Sequence, residues 1–231
     1  MTPPLRLAAA FALLPVAATG LDRPTVWDLR LGLPAAEQPA GFVELACGTN
    51  GGPPGRPLAA FAEFATCPAD DRGLHEVAFR YDEEAEYVAR ALEQPSAIEL
   101  YAGTRAYGIP VTVSALFDAE GLLQGLRLVT DARGAEPGKR NDDWTLGTLL
   151  RARFGADGWS CEELPPGPGE TAVASYFVKD RCTKAADGVA FTVERQYLHR
   201  RGQVYVDEGG KVQPGQFISS TSFEMVADAG Q

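Results

Sequence analysis

Four cysteines carry the most specific chemistry in this 231-residue chain. Cys47 and Cys67 form one local group, and Cys161 and Cys182 form another of nearly equal span. Zinc thiolate sites and dithiol redox centres use close C-x-x-C spacing, and neither group has it. The residues therefore read as two structural disulfides of an oxidising compartment. Four cysteines allow three connectivities, and the sequence around them favours one. A Gly-aromatic pair precedes each first cysteine (Gly41-Phe42, Gly158-Trp159), and a Pro/Gly-rich loop lies inside each span (GTNGGPPGRP, PPGPGE). An alternating strand follows each second cysteine (EVAFRY, VAFTVERQYL). This internal repeat favours Cys47 with Cys67 and Cys161 with Cys182, each pair closing its own hairpin.

The loop at 48–57 invites comparison with a phosphate cradle, because glycines free backbone N–H groups and Arg56 adds charge. It matches no nucleotide fingerprint, and the equivalent turn at 165–170 lacks the Asn and Arg. It reads as a hairpin tip, and its Thr49, Asn50 and Arg56 are the candidate binding residues, since loops on rigid scaffolds carry recognition. The acidic group Asp82, Glu83, Glu84 and Glu86 lacks the alternating ligands of a calcium loop and reads as a capped helix start, so no metal site is expected. His75 and His199 read as surface residues of separate halves, and neither G-x-S-x-G nor H-E-x-x-H occurs. No catalytic residue and no cofactor is expected. Paired carboxylates obey no sequence spacing rule, which keeps a hydrolase of unrecognised type as an alternative.

The elements that would position these residues follow from periodicity. FVELAC and PLAAFAEFATC read as strands joined by the Gly/Pro loop, and LHEVAFRYD as a third strand. Asp82 is the expected N-cap of a helix through EEAEYVARALEQ, with Tyr87, Ala91 and Leu92 together on one side, in a half whose helix packs on its sheet. YGIPVTVSALFDAEGLLQGLRLVTD reads as a hairpin turning at Asp118-Ala119-Glu120-Gly121. WTLGTLLRARFG reads as a helix with Gly155 as its C-cap. VAFTVERQYL, QVYVD and a strand within QFISSTSFEMV complete the second half.

The net charge is −10, becoming −11 without Arg6, the one charge among residues 1–20. That sign disfavours nucleic-acid binding, which needs a basic surface. Residues 1–20 have the layout of a secretory signal peptide, with Arg6, an apolar run, and small residues Ala18-Thr19-Gly20 before Leu21. The run is shorter than the roughly 20 residues of a spanning helix. No membrane span is therefore expected after cleavage, and the mature chain is expected to be periplasmic or secreted.

These readings give an α+β fold of two related halves. Each half would pack a helix on an antiparallel sheet of three to four strands and carry one disulfide. The segments are a signal peptide at 1–20, a first half at 21–131, a linker at 132–143 and a second half at 144–231. Leu31-Gly32-Leu33-Pro34-Ala35-Ala36-Glu37 followed by antiparallel strands resembles the helix-plus-sheet modules of the small lipoprotein of the outer-membrane barrel-assembly complex. The disulfide-closed tandem layout is similar to secreted β-lactamase inhibitor proteins. The chain departs from the lipoprotein in lacking a lipid-attachment cysteine. The resemblance implies an exported module that binds an envelope protein or a cell-wall component. A small-ligand carrier with a pocket between the halves is a further alternative.

Overall fold

The structure, a computed structural model, describes residues 23–96, 103–131, 143–206, 211–215 and 217–228. The expected signal peptide and nearly all of the expected linker lie outside the described residues. Among the described residues are twelve strands: β1 (Phe42–Cys47), β2 (His75–Tyr81), β3 (Arg105–Ala106), β4 (Ile109–Phe117), β5 (Leu123–Thr130), β6 (Ser160–Glu163), β7 (Glu170–Thr171), β8 (Val178–Ala186), β9 (Val189–Arg200), β10 (Val204–Val206), β11 (Val212–Pro214) and β12 (Ile218–Ala227). Helices α1 (Glu84–Ala91) and α2 (Leu146–Arg153) are accompanied by short 3-10 turns at Val26–Asp28, Ala35–Glu37 and Phe61–Thr66.

The α+β class holds, but each half does not own a separate sheet of three to four strands. A single ten-stranded antiparallel sheet runs β1-β2-β4-β5-β12-β9-β8-β6, with β3 and β7 added as short pieces beside β4 and β9. The seam is the pairing of β12 with β5, where Phe223 stands opposite Leu128 and Glu224 opposite Arg127. The physical reason is edge burial. A separate sheet in each half would leave β5 and β12 as unpaired, apolar edges, which are costly and adhesive. β10 and β11 form their own two-stranded hairpin.

Alternation decides which face is buried. Val77, Phe79, Val113, Ala115, Phe117, Leu126, Leu128, Phe223 and Val193 all point to one side and are nearly inaccessible. Aromatic rings continue that layer, with Phe42 4.5 Å from Phe79 and Phe154 stacked on Phe223 at 5.3 Å. α2 covers the second half of this face through Leu146 and Leu150, both fully buried. Gly147 permits the close approach, since a Cβ there would lie 2.6 Å from the Arg195 side chain and 2.9 Å from Val193. The fully buried Thr221 hydroxyl accepts from Gly147 N–H (3.2 Å) and donates to Asp143 O (2.8 Å), fastening the start of α2 to β12.

Two local expectations are corrected. Residues 61–66 form a 3-10 turn rather than a strand. Phe61 and Phe64 are three residues apart, which suits that turn, and both rings pack on Phe117. α1 also faces the other way. Glu86 and Ala89 are its buried residues, whereas Tyr87 and Leu92 are 75% and 61% exposed. Its N-cap is Glu83 rather than Asp82, whose carboxylate instead accepts the Glu84 N–H at 2.9 Å.

Cys47 is bonded to Cys67, and Cys161 to Cys182. Among the described residues no helix is long and apolar enough to cross a membrane.

Candidate functional site

The sheet face opposite the core is polar, and the 48–56 loop lies across its first half. β1 turns out of the sheet at Cys47, whose N–H donates to Arg56 O and whose carbonyl accepts from Gly55 N–H, both at 2.8 Å. These bonds and the disulfide close the base of the loop. At the tip, Thr49 Oγ1 donates to Pro53 O (2.8 Å), and the Asn50 N–H donates to Glu76 Oε2 (2.9 Å). Asn50 adopts φ of 56°, a left-handed conformation that Asn tolerates better than most residues. Gly51 has φ of 80°, and a Cβ there would lie 2.6 Å from Val129. Gly51→Ala is therefore expected to lower stability by about 2 kcal/mol through backbone strain and overpacking, measured by urea unfolding. An unchanged midpoint would show that the loop floats free of the sheet. Thr49, Asn50 and Arg56 all present exposed side chains, but the backbone between them is braced against the sheet.

Beneath the loop runs a chain of alternating charge that the sequence reading missed. Arg127 donates to Glu76 (2.7 Å) and to Glu224 (2.6 and 3.0 Å). Arg72 bridges Glu224 (2.5 and 3.2 Å) to Asp70 (2.8 and 3.0 Å). Burial pushes the Glu224 carboxyl up, but hydrogen bonds from Arg72 and Arg127 outweigh it and hold the group below the usual glutamate range. The one sequence signal was a lone charge in each apolar run, Arg127 in LRLVT and Glu224 in SFEMV. Alternation puts both on outward-facing positions, but only the β5–β12 register makes them neighbours.

Beside the loop is a cavity of about 550 Å³. Arg80 from β2 crosses it to Glu83 (2.6 Å) and approaches Glu44 at 3.6 Å. Glu83 also accepts the Thr104 N–H at 3.1 Å. Burial raises the Glu83 carboxyl, and the Arg80 and Thr104 bonds more than reverse that, leaving it below the usual range. Glu86, Asp131 and Arg105 complete the charged lining. A second, more apolar cavity of about 410 Å³ lies among Ala35, Phe42, Leu45 and Phe61. The first is lined by residues within 44–131 and the second by residues within 35–62, so neither lies between the halves.

The remaining candidates do not converge. His75 is half-buried rather than on the surface, with Nδ1 2.7 Å from Cys67 O and its ring edge-on to Phe64. His199 sits near Thr171 Oγ1 at 3.5 Å, too long for a working nucleophile–base hydrogen bond. Neither histidine lines either cavity. Among the described residues no group of three or more His, Cys, Asp or Glu side chains could hold a metal ion.

The surface feature that the site geometry leaves unexplained is α1. Tyr87, Val88 and Leu92 are exposed by 75%, 47% and 61%, while the helix is pinned at its start through Glu83 to Arg80 and Thr104. Exposed Asp82, Glu84 and Glu93 surround this apolar strip. Comparison of the chain with protein-family models, with characterised proteins and with solved structures finds no match.

Proposed function

We propose that this chain is an exported, disulfide-stabilised protein-binding module of the cell envelope, periplasmic or secreted, with the outer face of α1 as its contact surface. The observation that carries this reading is the inverted helix. A soluble helix ordinarily buries its apolar side, and burying Glu86 and Ala89 while exposing Tyr87, Val88 and Leu92 forgoes hydrophobic stabilisation that a partner can recover. Carboxylates around the strip suit a partner with a basic rim, and the net charge of −10 adds to that attraction at low salt.

The mirrored strand order supports descent from two related halves. β1-β2-β4-β5 on one side of the seam answers β6-β8-β9-β12 on the other, and Cys47 and Cys161 occupy matching edge strands. That is the tandem layout by which the chain resembles envelope-binding modules. Under this reading, features present in one half alone are where recognition was added. α1 lies between β2 and β4, whereas β8 and β9 are joined by a short turn.

The test is a photo-crosslinking residue placed at Tyr87 in the full chain, expressed with its export segment. A covalent adduct with one envelope protein is expected. Purified partner should then bind Tyr87→Ser/Leu92→Ser at least tenfold more weakly, with a thermal midpoint close to that of the parent. Adducts from Arg56 but not from 87 would move the surface to the loop. Tight, stoichiometric binding of a small cationic molecule, lost in Glu44→Gln/Glu83→Gln, would instead favour the carrier reading at the 550 Å³ cavity.

A further inference from the structure

The two disulfides sit in different chemical surroundings. Cys47 and Cys67 are 5% and 3% exposed and join β1 to the 3-10 turn at the base of the braced loop. Cys161 and Cys182 stand directly opposite each other in neighbouring strands, with Cys161 exposed on the outermost strand β6 and Cys182 fully buried. β6 is only four residues long, and all four are exposed.

A cation waits at this second bridge. Arg151, in the last turn of α2, places Nη1 3.2 Å from Cys161 Sγ and 3.3 Å from Cys182 Sγ. Its Nε is buried and has no hydrogen-bond partner. Asp180, whose charge partly offsets that of Arg151, is bound by Arg195, and Arg195 itself repels Arg151. A neutral disulfide gives this guanidinium little in return for its lost hydration. A thiolate would give it a full negative charge at contact distance, so the surroundings favour the reduced, ionised state.

We propose that Cys161–Cys182 is a thiol-exchange site, reducible by a dithiol that attacks Cys161, whereas Cys47–Cys67 is a fixed structural bridge. The attacking thiolate forms a sulfur–sulfur bond to the exposed Cys161 Sγ. The Cys161–Cys182 bond breaks, and its electron pair leaves on Cys182 Sγ, which Arg151 stabilises. The second thiol of the dithiol then attacks its own sulfur in the mixed disulfide, closes a disulfide and releases Cys161 Sγ. The proton it gives up goes to Cys161. The dithiol is oxidised by two electrons and the protein reduced by two. Opening the bridge would leave β6 attached by backbone pairing to β8 alone, and would turn a clamped sheet edge into one that can exchange strands.

The experiment uses the mature, oxidised chain equilibrated with graded dithiothreitol, followed by maleimide labelling and peptide mapping. Cys161 and Cys182 should label together under conditions that leave Cys47 and Cys67 protected. Arg151→Met should shift the second bridge at least tenfold toward the disulfide, about 30 mV for a two-electron couple, and leave the first unmoved. Arg151→Lys should fall between them. A dithiol protein lacking its resolving cysteine should trap an adduct on Cys161. If Arg151→Met fails to fold, thiolate absorbance of Cys182 in Cys161→Ser, with and without Arg151→Lys, reads the same interaction. Equal reduction of both bridges, trapping on Cys182, or an Arg151→Met equilibrium identical to the parent would overturn the proposal.

Discussion

Arg127→Met is expected to cost about 3–5 kcal/mol, because it strands two carboxylates that the fold has largely removed from water. Arg127, Glu76 and Glu224 keep only 11%, 12% and 20% of their side-chain surface exposed. Glu76 is especially vulnerable, since its Oε1 already has no hydrogen-bond partner and its Oε2 would keep the Asn50 N–H but lose its cationic partner. Glu224 keeps Arg72 and suffers less. Urea unfolding at neutral pH measures the loss, and a value under about 1 kcal/mol would class the network with ordinary surface ion pairs.

The same network fixes the sign of a pH dependence. With its folded pKa held below the ordinary 4.5, the Glu224 carboxylate adds stability that is complete above pH 4.5. That stability is lost as pH falls through the lower, folded value. Arg127→Met removes part of it, so the gap between parent and variant should narrow as both are taken into acid. A gap that stays constant down to complete protonation would mean that Arg127 acts through packing rather than charge.

Removing the first disulfide is the second large effect. Cys47→Ala/Cys67→Ala should cost about 3 kcal/mol by releasing a closed loop in the unfolded chain. The two cysteines are separated by 20 positions and are nearly inaccessible, so alanine also leaves a small core defect. The damage should reach the polar face, because the tether at Cys47 holds the loop whose Asn50 N–H caps Glu76. Hydrogen exchange at Asn50 should accelerate in the variant while amides of β9 and β12 stay protected. Unchanged protection at Asn50 would show that packing of Gly51 on Val129 suffices to hold the loop.

The sequence by itself determined whatever depends on neighbours in the chain. The β4–β5 hairpin was legible because its turn needs a residue like Gly121, whose φ is 81°. α2 was legible because Leu146, Leu150 and Phe154 recur at helical spacing and Gly155 stops them. The cysteine pairs were legible because each second cysteine follows the first by only 20 or 21 positions, with a Pro/Gly-rich loop between them to turn the chain back.

Only the tertiary structure decided what depends on partners far along the chain. Whether β5 ended one sheet or continued into another turned on β12, which begins 88 positions after β5 ends. The Arg127–Glu224 contact exists only once that register is set, since side chains of neighbouring strands meet in pairs. α1 is the sharpest instance. Its periodicity marks two opposed faces but carries no sign, and Tyr87 and Leu92 look like core in any local window. The direction was set by the ion pair of Glu83 with Arg80, together with the Thr104 N–H on Glu83, which hold the Glu83 end of the helix inward. Hydrophobic spacing tells a helix which residues belong together, and the charges of its surroundings decide which side they turn to.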